Sequence, residues 1–157
     1  MNANEARKRL NELRSAREGV SSDELDRIWA CLEPVPAAEI LGRWRGEVFA
    51  TGHGLHRELV GRRWYGKSFN SLHDAKPLIC YDEKGRLFSD VELGRGEASL
   101  WNIEFRGEVT ATMVYDGRAA FDHFKRVDDV TLMGIMNGKA EFVLHNGQHF
   151  YFLLERV

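Results

Sequence analysis

Three dipeptides divide the second half of the chain: Asp116-Gly117 in "YDGR", Asn137-Gly138 in "MNGK" and Asn146-Gly147 in "HNGQ". Asp-Gly and Asn-Gly accept the positive φ angles of tight hairpin turns, so each marks a point where antiparallel strands reverse. With "DEKG", "LGRGE" and "RG", they cut the chain after Gly61 into short segments rich in β-branched and aromatic residues. The strand candidates are Trp64–Phe69, Pro77–Asp82, Arg86–Glu92, Ala98–Phe105, Glu108–Tyr115, Arg118–Val127, Val130–Asn137, Ala140–His145 and Gln148–Arg156, preceded by "GRWRGEVFA". No helical crossover pattern separates them, so a parallel sheet is excluded. About ten strands joined by tight turns predict a mainly β fold, an antiparallel up-and-down β-barrel.

Two α-helices precede the strands. Asn4–Arg17 is charged nearly all round, with Leu10 and Leu13 as its few apolar contacts, and is expected to pack weakly. In "SSDELDRIWACLEPVP", Ser21 and Glu24 have capping-box spacing, and Leu25, Ile28, Trp29 and Leu32 form one apolar stripe. Pro34 and Pro36 end that helix. The reading is a helical segment at residues 1–37 and a barrel at 38–157, together one compact domain. The helices have two available roles, covering the barrel or making a homodimer contact.

The 157 residues are 43% hydrophobic, enough for a real core, and the formal net charge is −2. That balance gives no electrostatic case for a nucleic acid or an anionic membrane surface. The basic stretch "ARKRLNELRSAR" is broken by Glu12 and flanked by Glu5 and Glu18, and reads as a solvated helix face. Cys31 and Cys80 have no partner at metal-ligand spacing, so they read as reduced thiols and no metal is expected. With no apolar run long enough for a signal core or a membrane span, the expected location is cytoplasmic.

Hairpin register assigns faces. A two-residue turn at Asp116-Gly117 pairs Met113 with Ala120, Ala111 with Asp122 and Val109 with Phe124. Val109, Ala111, Met113, Tyr115, Asp122, Phe124 and Arg126 then point inward, while Thr110, Thr112, His123 and Lys125 face water. An inward carboxylate and guanidinium cost several kcal/mol unless paired. Asp122 and Arg126 are four apart, roughly 13 Å along a strand, so each needs another partner. Either both sit at the rims, or Arg126 anchors a ligand's anion through its planar fork. Trp101 shares a face with Ile103 and Phe105, and Trp44, Trp101, Tyr115 and Phe124 are expected to make an aromatic interior. On the last strand Phe150, Phe152 and Leu154 oppose Tyr151 and Leu153. One set lines the interior and the other lies under the helices.

In "RRWYGKSF", Trp64 and Tyr65 are positioned to stack on a ligand and Lys67 to pair with its anion. Glycine in "GRWRG" lets the strand bend while the indole of Trp44 plugs the barrel end. His53 and His56 form an HxxH without the carboxylate of a hydrolytic zinc site. No Ser/His/Asp signature, nucleophile elbow or phosphate-binding glycine loop is present.

The segments "LGRWRGEVFATGH", "WYGKSFNS", "MVYDG", "DHFKRVDD", "LMGIMNG" and "FYFLLERV" together resemble the bacterial GXWXG family. Its members carry an uncharacterised second domain behind the motif. The family pattern has proline where this chain has Gly54, and Met-Asp where it has Met136-Asn137. The resemblance implies a barrel and supplies no catalytic residues. A looser similarity, in the Gly-x-Trp-x-Gly strand and barrel, links the chain to calycin-like and lipocalin-like folds and to nitrobindin-like haem proteins. The last would place a haem-binding histidine at His145 or His149.

Three functions are therefore in view. The first is binding of a small hydrophobic or amphipathic ligand with an acidic head inside a lipocalin-like barrel. Its candidate contacts are Trp44, Trp64, Tyr65, Lys67, Trp101, Tyr115, Asp122, Phe124, Arg126 and Tyr151, with no cofactor. The second is haem binding. The third is a small barrel enzyme with Asp122 as acid or base; the residues favour a non-enzyme.

Overall fold

The computed structural model describes residues 1–157. Two helices lead, α1 (Ala3–Leu13) and α2 (Ser22–Cys31), followed by a short strand β1 (Glu33–Pro34) and a 3-10 turn at Ala37–Ile40. The rest is β2 (Gly42–Val48), α3 (Gly54–Gly61), β3 (Trp64–Ser71), β4 (Asp74–Tyr81), β5 (Leu87–Ser89), β6 (Ala98–Phe105), β7 (Glu108–Tyr115), β8 (Ala120–Asp128), β9 (Thr131–Gly138), α4 (Ala140–Val143) and β10 (Phe150–Arg156). The strands form a ten-stranded antiparallel sheet in the order β1-β8-β7-β6-β4-β3-β2-β10-β9, and β8 also pairs β9. That last pairing closes the sheet into a ring, leaving β1 and β5 as side branches. Around the ring each strand follows its neighbour in sequence, the meander that the turn signals predict. Ala140–His145, expected as a strand, holds the one-turn helix α4 instead. The Gly138 that precedes it has a positive φ of 144° and turns the chain out of the sheet.

Helix α2 starts as its sequence predicts: the Ser21 side chain accepts from Glu24 N at 3.3 Å. Its stripe of Leu25, Ile28 and Trp29 is buried. Helix α1 packs better than its charged face implies, since Ala6 and Leu10 are fully buried between α2 and the sheet.

Two apolar clusters result, one on each side of the sheet. Inside the barrel lie Trp44, Phe69, Ala111, Met113, Phe124, Phe150, Phe152 and Leu154, among others. Outside, α1 and α2 cover Val127, Met133, Ile135, Tyr151 and Leu153. The alternation of β10 is thus read out in both directions, with its even-numbered residues in the lumen and its odd-numbered ones under helices.

The β7–β8 register pairs Met113 with Asp122, two residues from the expected pairing. The connection is longer than a two-residue turn, but a slip of two preserves faces. Asp122, Phe124 and Met113 therefore point inward as expected. Val109 does not; it is 60% exposed at the start of β7. Val35 displaces the ladder there, donating its N–H to Thr110 Oγ1 and accepting from Ala111 N. The opposite face of β7 and β8 is not solvated either: Thr110, Thr112, His123 and Lys125 are all buried. Lys125 donates to Trp29 O at 3.1 Å and to Glu108 Oε1, which ties α2 to the barrel wall.

Candidate functional site

The barrel is solid at one end and hollow at the other. At the solid end Phe69 packs against Phe124 with ring centres 5.8 Å apart, and Phe124 meets Phe152 edge-on at 6.0 Å. Trp44 is sealed among them, its indole N–H bonded to Ile40 O at 2.9 Å. At the other end a cavity of about 320 Å³ opens between α3, α4 and the Leu93–Gly94 turn. Its walls are mostly apolar, with Leu59, Trp64, Leu78, Phe150 and Phe152 among them.

An ion pair lies on the cavity wall. Lys67 Nζ sits 2.9 Å from Asp122 Oδ2, and both side chains are at most 3% exposed. Lys67 also donates to Pro77 O at 3.3 Å. Register irregularities in the β3–β4 ladder around Gly66 explain how Trp64 and Lys67, three residues apart, both reach the lumen. The Asp122 carboxyl is not saturated, because Oδ1 is buried without a hydrogen-bond partner. Burial pushes its pKa up, against the pull of Lys67 and Tyr115. Tyr115 faces the same carboxyl, and burial, reinforced by the Asp122 charge, drives its phenol well above the usual range.

The mouth has a different character. Arg118 lies in the β7–β8 connection and donates from Nε to Leu93 O at 2.8 Å. Its guanidinium stacks 5.0 Å from the Phe142 ring and takes part in no ion pair. His53, at the start of α3, accepts from Leu55 N through Nδ1 and so donates from Nε2 to Val143 O at 2.9 Å. Burial lowers its pKa, so it is a neutral strut joining α3 to α4. Glu58 is engaged by Arg62 at 3.1 Å. No group of three or more His, Cys, Asp or Glu side chains is placed to hold a metal ion, and no helix is long and apolar enough to cross a membrane.

The family described as "GXWXG protein" matches residues 27–85, and the "Domain of unknown function (DUF4334)" matches residues 96–156. A crystal structure of a protein from Thermomonospora curvata is similar over 98% of this chain and 99% of that one, at 33% identity and a TM-score of 0.86. The chain carries both domains and belongs to one family with the Thermomonospora curvata protein. Comparison with curated proteins gives no match.

The GXWXG motif, residues 42–46, is architectural here. Gly42 has a φ of 128°, a conformation that favours glycine. Trp44 plugs the solid end, with the Arg156 guanidinium 4.3 Å from its ring centre. Gly46 makes room for another residue, since a Cβ there would lie 2.1 Å from the Trp64 indole. The second glycine therefore shapes the cavity from the opposite side of its wall.

Of the residues expected to contact a ligand, the cavity gathers Trp64, Lys67, Tyr115 and Asp122. Trp44 and Phe124 are in the lumen but fill the solid end. The others lie elsewhere. Arg126 reaches the 3-10 turn and pairs with Glu39 Oε2 at 2.6 Å, so its rim position satisfies it and leaves no free anion anchor. Trp101 is 47% exposed on the outer face of β6, where its neighbour Leu100 takes the lumen. The apolar face that Trp101 shares with Phe105 is apolar because Phe105 packs edge-on against Trp29 of α2, at 5.9 Å. Tyr65 points outside the cavity and meets Tyr81 at 5.6 Å. Tyr151 lies under α2 with its hydroxyl donating to Asp26 at 2.8 Å. His149 bonds Met136 O through Nδ1 and lies outside the cavity lining, whereas His145 stands at the mouth. Sequence reasoning missed Arg118 and α4, whereas "HGLHRELVGRR" reads as a short helical or irregular piece and holds α3; the positively charged residue after "YDG" is the one signal that marked the mouth.

Proposed function

We propose that this barrel binds a small apolar molecule bearing an acidic group, in the manner of a lipocalin-like carrier. The observation that carries the reading is the cavity of about 320 Å³, lined mainly by apolar and aromatic side chains. Small-molecule sites are concave, mostly apolar and supplied with few polar groups, and their volumes start at about 300 Å³. The acid belongs at the mouth, on Arg118, whose terminal nitrogens are free and whose planar fork suits a carboxylate. It does not belong deeper, where Lys67 is already neutralised by Asp122.

The test begins with native mass spectrometry of protein purified without added ligand, to find a co-purified apolar acid. Decanoic acid and its methyl ester are then titrated into the protein and into Arg118→Ala. The acid should lose about tenfold in affinity on this substitution, as for a charge-assisted bond, and the ester little. Equal losses overturn the anchoring role of Arg118, and no binding of either probe to the wild-type chain overturns the carrier reading.

A further inference from the structure

Asp122 holds a polar atom that the chain leaves unused. Oδ2 is taken by Lys67, while Oδ1 is buried on a residue that lines the cavity and takes no hydrogen bond of good geometry, although the Tyr115 hydroxyl interacts with the same carboxyl. A buried acceptor left unmade carries a desolvation cost that a bound donor removes. We infer that the ligand carries a hydrogen-bond donor, a hydroxyl in the simplest case, which it delivers to Asp122 Oδ1 at the inner end of the cavity. This rests on the carrier reading and narrows its ligand to an apolar hydroxy acid.

Charge sets the direction in which such a molecule enters. A carboxylate placed beside Asp122 meets a like charge in a medium of low dielectric, which is strongly unfavourable. The same group at Arg118 meets an unpaired cation close to solvent. Arg118 and Asp122 are four residues apart on one stretch of chain, so their Cα atoms are at most about 13 Å apart, and both line the cavity. A medium-chain molecule with its acid at one end and its hydroxyl near the other spans that interval. The apolar section then runs past Trp64, Leu78 and Phe152.

Decanoic acid and ω-hydroxydecanoic acid are the probes, titrated calorimetrically into the wild-type protein and two variants. The wild type should prefer the hydroxy acid by about tenfold to a hundredfold, the range for a hydrogen bond to a charged acceptor. Lys67→Met/Asp122→Leu replaces the whole pair by apolar side chains of similar size and should reverse the preference. Tyr115→Phe should keep it, because Tyr115 is a competitor for the carboxyl and not the acceptor. Equal wild-type affinities mean that Tyr115 or a water already serves Oδ1, and they overturn the inference while leaving the carrier intact. A preference that survives the double substitution overturns it as well, by placing the hydroxyl elsewhere. If neither acid binds, the carrier reading falls and the inference falls with it.

Discussion

Lys67 and Asp122 meet at 2.9 Å from strands that never touch. Strand β3 and strand β8 are separated by β4, β6 and β7 along one arc of the ring and by β2, β10 and β9 along the other. The pair is a strut across the lumen. It lies where Phe69 and Phe124, each two residues further along the same strands, begin the solid end. Breaking either half leaves a buried charge, so Lys67→Met or Asp122→Leu alone should cost about 3–5 kcal/mol, and the double substitution much less than the sum. Urea denaturation of the four proteins measures this directly. Additive losses would mean that the two groups do not stabilise one another.

Gly46→Ala tests how the GXWXG motif shapes the cavity. The added methyl would lie 2.1 Å from the Trp64 indole, so the ring has to move into the lumen. A loss of about 1–3 kcal/mol is expected, as for other overpacked sites. Decanoic acid binding should weaken in the same variant, because Trp64 lines the cavity. Trp64 fluorescence is the readout, and an unshifted spectrum with unchanged stability would contradict the close packing.

His123 should make stability pH-dependent. It is buried, stacked on Phe105 with ring centres 4.1 Å apart, and held between Thr112 and Asn137. Burial lowers its pKa from 6.5 to about 4. Between those values the unfolded chain binds the proton more readily than the folded one. The stability that the neutral ring contributes is complete above pH ~6.5 and is lost as pH falls toward 4, by up to about 3 kcal/mol. Thermal unfolding across that window should show the slope, and His123→Gln should remove it.

Lys125 is a pin for the N-terminal helices. It is fully buried, with its ammonium on Trp29 O and Glu108 and 5.3 Å from the Trp29 ring centre. Lys125→Met should cost about 1–3 kcal/mol, the penalty for a carbonyl and a carboxylate that lose a charged donor. Amide hydrogen exchange should accelerate in α2 before it does in β9 or β10. Uniform acceleration through the whole chain would show that the helices and the barrel open together.

The readable and unreadable parts of this molecule divide along a physical line. Strand reversal is encoded locally at Asp116-Gly117, so the β7–β8 hairpin and the inward face of β8 follow from the sequence even though the pairing slips by two residues, whereas Asn137-Gly138 ends β9 and leads into α4. What covers a strand's outer face is not encoded in the strand. Lys125 and His123 look solvated and Trp101 looks internal, because period-two alternation cannot distinguish a lumen from a helix-covered wall. The site follows the same division. Trp64, Lys67, Tyr115 and Asp122 project from strands and could be found. Arg118, His53 and Phe142 come from a turn and two short helices, whose positions depend on contacts distant in sequence.

A lumen filled at one end and empty at the other separates two kinds of selection. Substitutions at Trp44, Phe69 or Phe124 are judged by whether the chain folds, since they sit in the plug. Substitutions at Leu93, Arg118 or Phe142 fall on the rim, where little of the core depends on them. One scaffold can therefore exchange its cargo by redrawing three short connections while the far half of the barrel stays as it is.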